Sequence, residues 1–128
     1  MLRVNIPDVV DELSRAFESY ERALLGNEIE ALNRLFWKSD LTTRYGVREL
    51  LYGHEAIARF RRERGAINQR RTLRNTRITT FGRDFGVANT EYIPHGTPKT
   101  GRQSQTWMRT EDGWKIVSAH VSFLEADT

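Results

Sequence analysis

The chain contains no cysteine, which excludes disulfides, zinc–thiolate sites and thiol nucleophiles. It also lacks a long apolar run: no stretch approaches the length of about 18 apolar residues that a membrane-spanning helix needs, and residues 1–7 lack the apolar segment of a signal peptide. Nucleophile motifs of serine hydrolases and glycine-rich phosphate loops are missing too. We therefore expect a cytoplasmic protein with no membrane partner and no ordinary serine amidase mechanism.

The composition is that of an ordinary globular protein. Hydrophobic residues make up 38% of the chain and charged residues 29%, with 20 basic against 17 acidic side chains and a net charge of +3. A chain of this length forms one domain and buries roughly two-thirds of its unfolded surface. We predict a single domain over residues 1–128, which attracts anions only mildly at long range.

Helical spacing of apolar residues dominates the first half of the chain. Pro7 suits the first turn of a helix, and Gly26 is a typical residue just after a helix end. A second, short helix is predicted over about 28–36. A third is predicted from Gly53 to near Gly65.

Strand patterns dominate the second half. Two short extended segments, 41–45 and 49–52, precede the third helix, and alternating segments follow over 71–81 and 85–94. The segment 101–124 predicts two more strands, joined at an acidic turn before a glycine. Helices that pack on one face of a curled antiparallel sheet form an α+β layer architecture.

The last predicted strand carries the first resemblance to a known group. Its residues Trp114, Ile116, His120 and Ser122 are predicted to share one face. This strand, together with the helix opening at 53–60, resembles the nuclear transport factor 2-like (SnoaL-like, cystatin-like) superfamily. The resemblance implies a cone-shaped, curled antiparallel sheet with three N-terminal helices. This fold hosts enzymes as well as non-catalytic proteins, so it does not fix a function.

Four further segments resemble the AtzH/HpxZ-type family more closely: 44–46, 51–53, 80–85 and 100–107. The AtzH-type branch implies a decarboxylating amidohydrolase that converts 1,3-dicarboxyurea to allophanate in cyanuric acid catabolism. The HpxZ-type branch implies a non-catalytic accessory or binding protein, paired with an amidohydrolase of oxalurate and purine breakdown. A third reading is a SnoaL-like interaction domain with a vestigial pocket.

The family resemblance implies a catalytic pair, Tyr20 and Arg44. On its own, Tyr20 on an apolar helix stripe is either a core residue with one backbone partner or a proton donor at the mouth of the cone. Arg44 on a short strand is either solvated or a clamp whose guanidinium fork grips a carboxylate. A proton donor and an anion clamp in a dry pocket suffice for decarboxylation, so we expect no cofactor.

Three further residues are candidates for substrate binding. Arg71 is a candidate second carboxylate clamp, and Gln105 a candidate amide for recognising urea, although a solvated or dimer-facing glutamine fits equally. His120 is either a ligand contact or a structural or interface histidine. No second histidine or carboxylate stands at metal-ligand spacing, so no metal site is predicted.

Residues 59–77 include eight arginines against one glutamate. Such a cluster suits phosphate contacts with nucleic acid, but Arg61, Arg62 and Arg64 crowd a helix end, where the dipole favours cations and a solvated face explains them. No aromatic platform accompanies them, so we predict a small anionic substrate and no nucleic-acid partner. Apolar residues on the open face of the sheet predict a homodimer through that face.

Overall fold

The computed structural model describes residues 1–125. The last three residues of the predicted domain lie outside this described part. In chain order, the helices and strands are α1 (Pro7–Leu25), α2 (Ile29–Leu35), β1 (Thr43–Tyr45), β2 (Leu50–Tyr52), α3 (His54–Arg64), β3 (Arg71–Phe81), β4 (Phe85–Pro94), β5 (Gly101–Thr110) and β6 (Gly113–Phe123). The prediction of an α+β fold with three helices and a curled antiparallel sheet is confirmed.

The six strands of the described residues form one sheet in the order β2-β1-β6-β5-β4-β3. Strands β3 to β6 are antiparallel neighbours, as expected of a meander. The short strand β1 pairs in parallel with β6 and antiparallel with β2, so the two early strands lie at one edge. The helices cover one face, which we call the inner face of the sheet.

Helix α1 supplies much of the core beneath the sheet. Its apolar stripe includes the buried residues Val9, Leu13 and Phe17, at spacings of three and four that place them on one side. Gly86 on β4 allows this helix to come close, because a Cβ added there would overlap the Leu13 side chain. The rest of the core includes buried aromatic rings such as Phe36, which directly follows α2, and Trp107 of β5.

A β-bulge in β6 decides which of its side chains face inward. Thr106 of β5 pairs with Ser118, but its neighbour Trp107 pairs with Ile116, so Val117 is an extra residue on β6. A strand alternates faces with a period of two, and one extra residue reverses that alternation. The inward residues therefore change from even to odd numbers at the bulge.

The bulge overturns one prediction of the sequence. Trp114 and Ile116 are buried on the inner face, whereas His120 is exposed and Ala119 is buried in its place. The prediction that Trp114, Ile116, His120 and Ser122 share one face is therefore wrong.

No helix among residues 1–125 combines the length and the apolar character needed to cross a membrane.

Candidate active site

A cavity of about 320 Å³ lies on the inner face, where α1, α3 and the segment 65–70 meet β1, β3, β4, β5 and β6. Its charged side chains are Arg44, Arg61, Arg64, Arg70, Arg71 and Glu49. Its other side chains include Tyr20, Tyr92, Gln103, Val121 and Phe123. Three of the predicted site residues, Tyr20, Arg44 and Arg71, thus line one strongly basic cavity.

Tyr20 belongs to the apolar stripe of α1 and is 5% exposed. Its ring centre lies 6.4 Å from that of Phe36, so the ring is part of the core while the residue also lines the cavity. Within residues 1–125, its hydroxyl forms no hydrogen bond. The hydroxyl is thus available to a ligand, and the backbone partner considered for a core tyrosine is not formed.

Arg44 faces the cavity because it lies opposite Ala119, an inward residue of β6. Its Nη1 atom is buried and has no hydrogen-bond partner among the described residues. Glu49 Oε1 is 3.7 Å from this nitrogen, which is an ion-pair distance but too long for a hydrogen bond. The guanidinium carbon also lies 5.8 Å from the centre of the Phe60 ring.

Gly46 leaves room for the pair formed by Arg44 and Glu49. A Cβ atom at position 46 would stand 2.5 Å from Glu49 Oε1 and 2.9 Å from Arg44 Nη1. Both distances are shorter than van der Waals contact. A glycine at this turn therefore keeps both charged groups in their present positions.

Arg61 corrects the interpretation of the arginine cluster as a solvated helix end. It is 4% exposed, because it follows the buried Ile57 by four residues and so lies on the inward side of α3. Its Nη1 donates to Asn33 Oδ1 at 3.2 Å. Burial lowers the pKa of Arg61 to about 10, with the positive charges of Arg44 and Arg64 acting in the same direction.

Arg64 continues the same side of α3, one turn further on. Burial lowers its pKa, and the nearby charge of Arg44 lowers it further. Its guanidinium carbon lies 5.4 Å from the centre of the Phe60 ring, and its Nε is buried without a hydrogen-bond partner among residues 1–125. The like charges of the cavity thus destabilise one another, an effect that an anion would relieve.

Arg71 lies in the cavity as predicted, but its charge is already paired. Its Nε donates to Glu21 Oε2 at 3.3 Å, and its Nη2 contacts Glu21 Oε1 in the same ion pair. The Nη2 group also donates to Gln103 Oε1 at 2.9 Å. The guanidinium carbon lies 4.6 Å from the centre of the Tyr92 ring. The donors of Arg71 are therefore already bound to protein side chains, so Arg71 is less free than Arg44 to bind a carboxylate.

Tyr92 is a second phenol in the cavity, and sequence analysis did not single it out. It faces inward on β4 opposite Gly101, where an added Cβ would overlap its ring. Burial raises the pKa of Tyr92, although the positive charge of Arg71 acts against that shift. This phenol therefore stays protonated over a wide range of pH.

The glutamine that lines the cavity is Gln103, not Gln105. Both face inward on β5 together with Trp107, as strand alternation predicts. Gln105 lies deeper, and its Oε1 accepts a hydrogen bond from Trp107 Nε1 at 3.1 Å. Gln105 is not among the residues that line the cavity. Gln103 and Gln105 are two positions apart on one predicted strand, so alternation places both on the same face, and the sequence could have indicated Gln103 as well.

His120 lies on the outer face of the sheet, on the opposite side from the cavity. It is exposed, and its ring centre lies 5.6 Å from that of Tyr45 in an edge-to-face arrangement. The expectation that His120 contacts the substrate in the cone is therefore corrected by the bulge. Among residues 1–125, no group of three or more histidine and acidic side chains is arranged to hold a metal ion.

A larger surface depression of about 540 Å³ lies beside α2, α3 and β6. Two of its basic groups already have backbone partners: His54 Nε2 lies 2.7 Å from Asn33 O, and Lys115 Nζ donates to Arg34 O at 2.7 Å. It contains none of the predicted site residues. The smaller basic cavity is therefore the candidate active site.

Comparison with known proteins identifies the family of the chain. A family model described as AtzH-like matches residues 2–127, nearly the whole chain. The chain belongs to the AtzH-like family. No curated protein matches it.

Two similar solved structures cover almost all of the chain. A protein of unknown function from Pectobacterium atrosepticum is 48% identical, with 95% of each chain covered and a TM-score of 0.93. A cystatin-like fold protein from Burkholderia xenovorans is 46% identical, with 99% of this chain and all of that one covered, and again a TM-score of 0.93. These two matches support the fold of the AtzH-like chain, and no activity is carried over from them.

A more distant structure supports the fold alone. A nuclear transport factor 2-like superfamily protein from Salmonella enterica is 23% identical, with 94% of each chain covered and a TM-score of 0.74. The AtzH-like chain therefore has the nuclear transport factor 2-like, cystatin-like fold that the sequence resemblance implied.

Proposed function

We propose that the chain is a cofactor-free enzyme that removes one carboxyl group from 1,3-dicarboxyurea, giving allophanate and carbon dioxide. One observation carries the proposal: three buried hydrogen-bond donors without protein partners among residues 1–125 belong to residues lining one cavity. These donors are Arg44 Nη1, Arg64 Nε and Gln103 Nε2. Buried polar groups are nearly always hydrogen-bonded, so the cavity suits a ligand rich in acceptor oxygens.

The charge of the cavity supports an anionic ligand. Five arginines and one glutamate line it, and Glu21 neutralises only Arg71. Guanidinium groups bind carboxylates through paired, charge-assisted hydrogen bonds. A small dianion therefore offsets the repulsion among Arg44, Arg61 and Arg64 better than a neutral molecule does.

The proposed reaction needs one proton at one nitrogen. In 1,3-dicarboxyurea, each carboxylate is attached to a urea nitrogen. Protonation of that nitrogen lets the bond to the carboxyl carbon break, and the electron pair of that bond stays on nitrogen. The dianion and one proton thus give the allophanate monoanion and carbon dioxide.

Tyr20 is the proposed proton donor, and Arg44 the proposed clamp for the carboxylate that stays. The hydroxyl of Tyr20 has no partner among the described residues, and Tyr20 lines the cavity together with Arg61. A cationic neighbour stabilises the phenolate that remains after proton transfer. Water then returns a proton to Tyr20, and no cofactor enters the cycle.

The test measures carbon dioxide and allophanate released from freshly prepared 1,3-dicarboxyurea, with the spontaneous rate subtracted. Wild type should accelerate the release, and Tyr20→Phe should lower kcat by roughly 10²- to 10⁴-fold, the range for a lost general acid. Arg44→Ala should raise KM. Tyr52→Phe, which changes an exposed tyrosine of β2 on the outer face, should keep wild-type turnover.

Absence of acceleration by a folded wild-type protein would overturn the proposal. The non-catalytic accessory reading would then be the one to pursue, by measuring whether oxalurate binds. Circular dichroism of each variant separates lost chemistry from lost folding. Tyr20→Phe removes only a hydroxyl that forms no hydrogen bond within residues 1–125, so we expect this variant to fold normally.

A further inference from the structure

We infer that Gln103 recognises a carbonyl oxygen of the ligand, and that Arg71, held by Glu21, fixes the orientation in which the Gln103 amide does so. This inference rests on the proposed function, because a urea ligand has a neutral carbonyl oxygen between its charged ends. It assigns Gln103 a role in specificity and makes Arg71 a positioning residue, not a second carboxylate clamp.

The position of Gln103 makes it part of the cavity wall. It lies on the inner face of β5, between Thr90 of β4 and Val121 of β6. It is 3% exposed, and it lines the cavity together with Tyr20 and Arg44. A group buried to this degree needs partners for both ends of its amide.

Arg71 determines which end of the amide is used on the protein side. A guanidinium carries only donors, so the atom of Gln103 that lies 2.9 Å from Arg71 Nη2 must be the amide oxygen. The amide nitrogen therefore points away from Arg71. That nitrogen, Nε2, is buried and has no hydrogen-bond partner among the described residues.

Arg71 is itself held on two sides. Glu21 accepts from both Nε and Nη2, and the guanidinium lies over the Tyr92 ring. The side chain of Arg71 is only 7% exposed. The chain of contacts from Glu21 through Arg71 to Gln103 therefore orients the amide before any ligand arrives, which lowers the entropic cost of using it.

The chemistry of Nε2 selects the kind of acceptor. A neutral amide nitrogen suits a neutral carbonyl oxygen, whereas Arg44 and Arg64 offer charged donors to carboxylates. A site with a buried donor rejects an analogue that leaves the donor unpaired. Gln103 therefore distinguishes a dianion with a central carbonyl from a plain dicarboxylate of the same length.

Two dicarboxylates test this distinction, with 3-oxoglutarate dissolved fresh because a β-keto acid loses carbon dioxide on standing. In 3-oxoglutarate, methylene groups replace the two nitrogens of 1,3-dicarboxyurea and the central carbonyl remains, whereas glutarate lacks that carbonyl. Titration calorimetry of wild type should give a preference of about tenfold for 3-oxoglutarate, the effect of one buried donor left unpaired. Gln103→Met should bring this preference close to one, while glutarate affinity stays within about threefold.

Gln105→Met is the matched control, because it changes a buried glutamine on the same strand and face that does not line the cavity. It should keep the wild-type preference. Should Gln103→Met fail to fold, Gln103→Glu replaces it, since a carboxylate keeps an oxygen toward Arg71 and removes the donor. Arg71→Lys should keep the charge beside Glu21 but release the amide, so the preference should fall in a folded protein.

The outcomes separate this inference from the proposed function. Equal binding of both compounds by wild type, or an unchanged preference in both Gln103 variants, would overturn the inference and leave the anion site standing. An unchanged preference in folded Arg71→Lys would overturn the positioning role of Arg71. Binding of neither compound would overturn the inference together with the anion site on which it depends.

Discussion

The guanidinium carbon of Arg61 lies 4.5 Å from the centre of the Phe36 ring. The face of an aromatic ring attracts a cation without neutralising it. The other contact of this guanidinium, Asn33 Oδ1, is also uncharged. The positive charge of Arg61 is therefore buried at the cavity, and neither of these two contacts neutralises it. Arg61 thus attracts an anion into the cavity.

Replacing the charged side chain of Arg61 should lower ligand affinity while the stability of the fold changes little. Arg61→Met keeps a long apolar side chain over Phe36, and we expect the free energy of unfolding to change by less than about 1 kcal/mol, because a buried charge carries a desolvation cost that methionine lacks. Glutarate affinity should fall roughly tenfold, because a unit charge several ångströms away contributes on the order of 1–2 kcal/mol at an effective dielectric constant near 20.

Urea denaturation and calorimetry measure the two effects of Arg61→Met. Arg62→Met is the matched control, because Arg62 is the next residue of α3 and is exposed. It should leave glutarate affinity within about twofold of wild type, since exposed charges are largely screened. Equal losses of affinity in the two variants would contradict a specific role for Arg61.

The glycine beside Arg44 offers a test of preorganisation. In Gly46→Ala, the new methyl group meets the ends of the Arg44 and Glu49 side chains and not rigid backbone, so these flexible groups must move. We expect glutarate affinity to fall several-fold while the free energy of unfolding changes by less than about 1 kcal/mol. Unchanged affinity would show that the present position of Arg44 is not the one used in binding.

Tyr92 predicts a change in the response to alkali. Burial raises the pKa of this phenol, so the folded protein holds its proton more tightly than the unfolded chain does. The resulting stabilisation is complete below about pH 10, the unfolded pKa, and is lost as pH rises through the folded pKa. Tyr92→Phe lacks this component and should lose stability less steeply above about pH 10 than wild type.

Urea midpoints at about pH 8, 10 and 11 measure this difference. Near pH 8, the variant should match wild type within about 1 kcal/mol, because phenylalanine keeps the ring above Gly101 and below Arg71. If the urea midpoints of the two proteins fall equally across this pH range, ionisation of Tyr92 does not contribute to the loss of stability in alkali.

A homodimer through the outer face of the sheet remains a prediction. Leu50 and Tyr52 of β2 and Phe85 of β4 are exposed on that face, and burial against a second copy would remove them from water. Leu50→Glu should weaken association at least tenfold in sedimentation equilibrium, because a charge would enter an apolar contact. Leu41→Glu, at an exposed leucine outside the sheet, should have no effect. Monomeric wild type at micromolar concentration would contradict the prediction.

Local signals predicted most of the elements. Helix α1 begins at Pro7 and ends one residue before Gly26, and β3 and β4 have the predicted bounds. Four of these boundaries have a proline or glycine at the boundary or just outside it, at positions 7, 26, 82 and 94, and these residue types act on their own backbone. Such signals can be read without knowledge of the rest of the chain.

The cavity depended on contacts that local signals do not contain. Arg71 was expected in the cavity and lies there, but its partner Glu21 is fifty residues away on another element. Arg61 was predicted to face solvent because charged side chains usually do. Its spacing of four residues from Ile57 indicated the inward side of the helix, but the residue type was given more weight. His120 was misplaced because a bulge follows from pairing between strands, which one strand's own pattern does not show.

The bulge at Val117 divides β6 into two segments that can vary separately. Before it, Trp114 and Ile116 pack into the core; after it, Val121 and Phe123 border the cavity. Deleting the extra residue would turn the second segment over and exchange the wall of the cavity for the outer surface, with the first segment unmoved. Substitutions in the cavity wall can thus change which ligand is accepted while the packing that folds the strand stays the same.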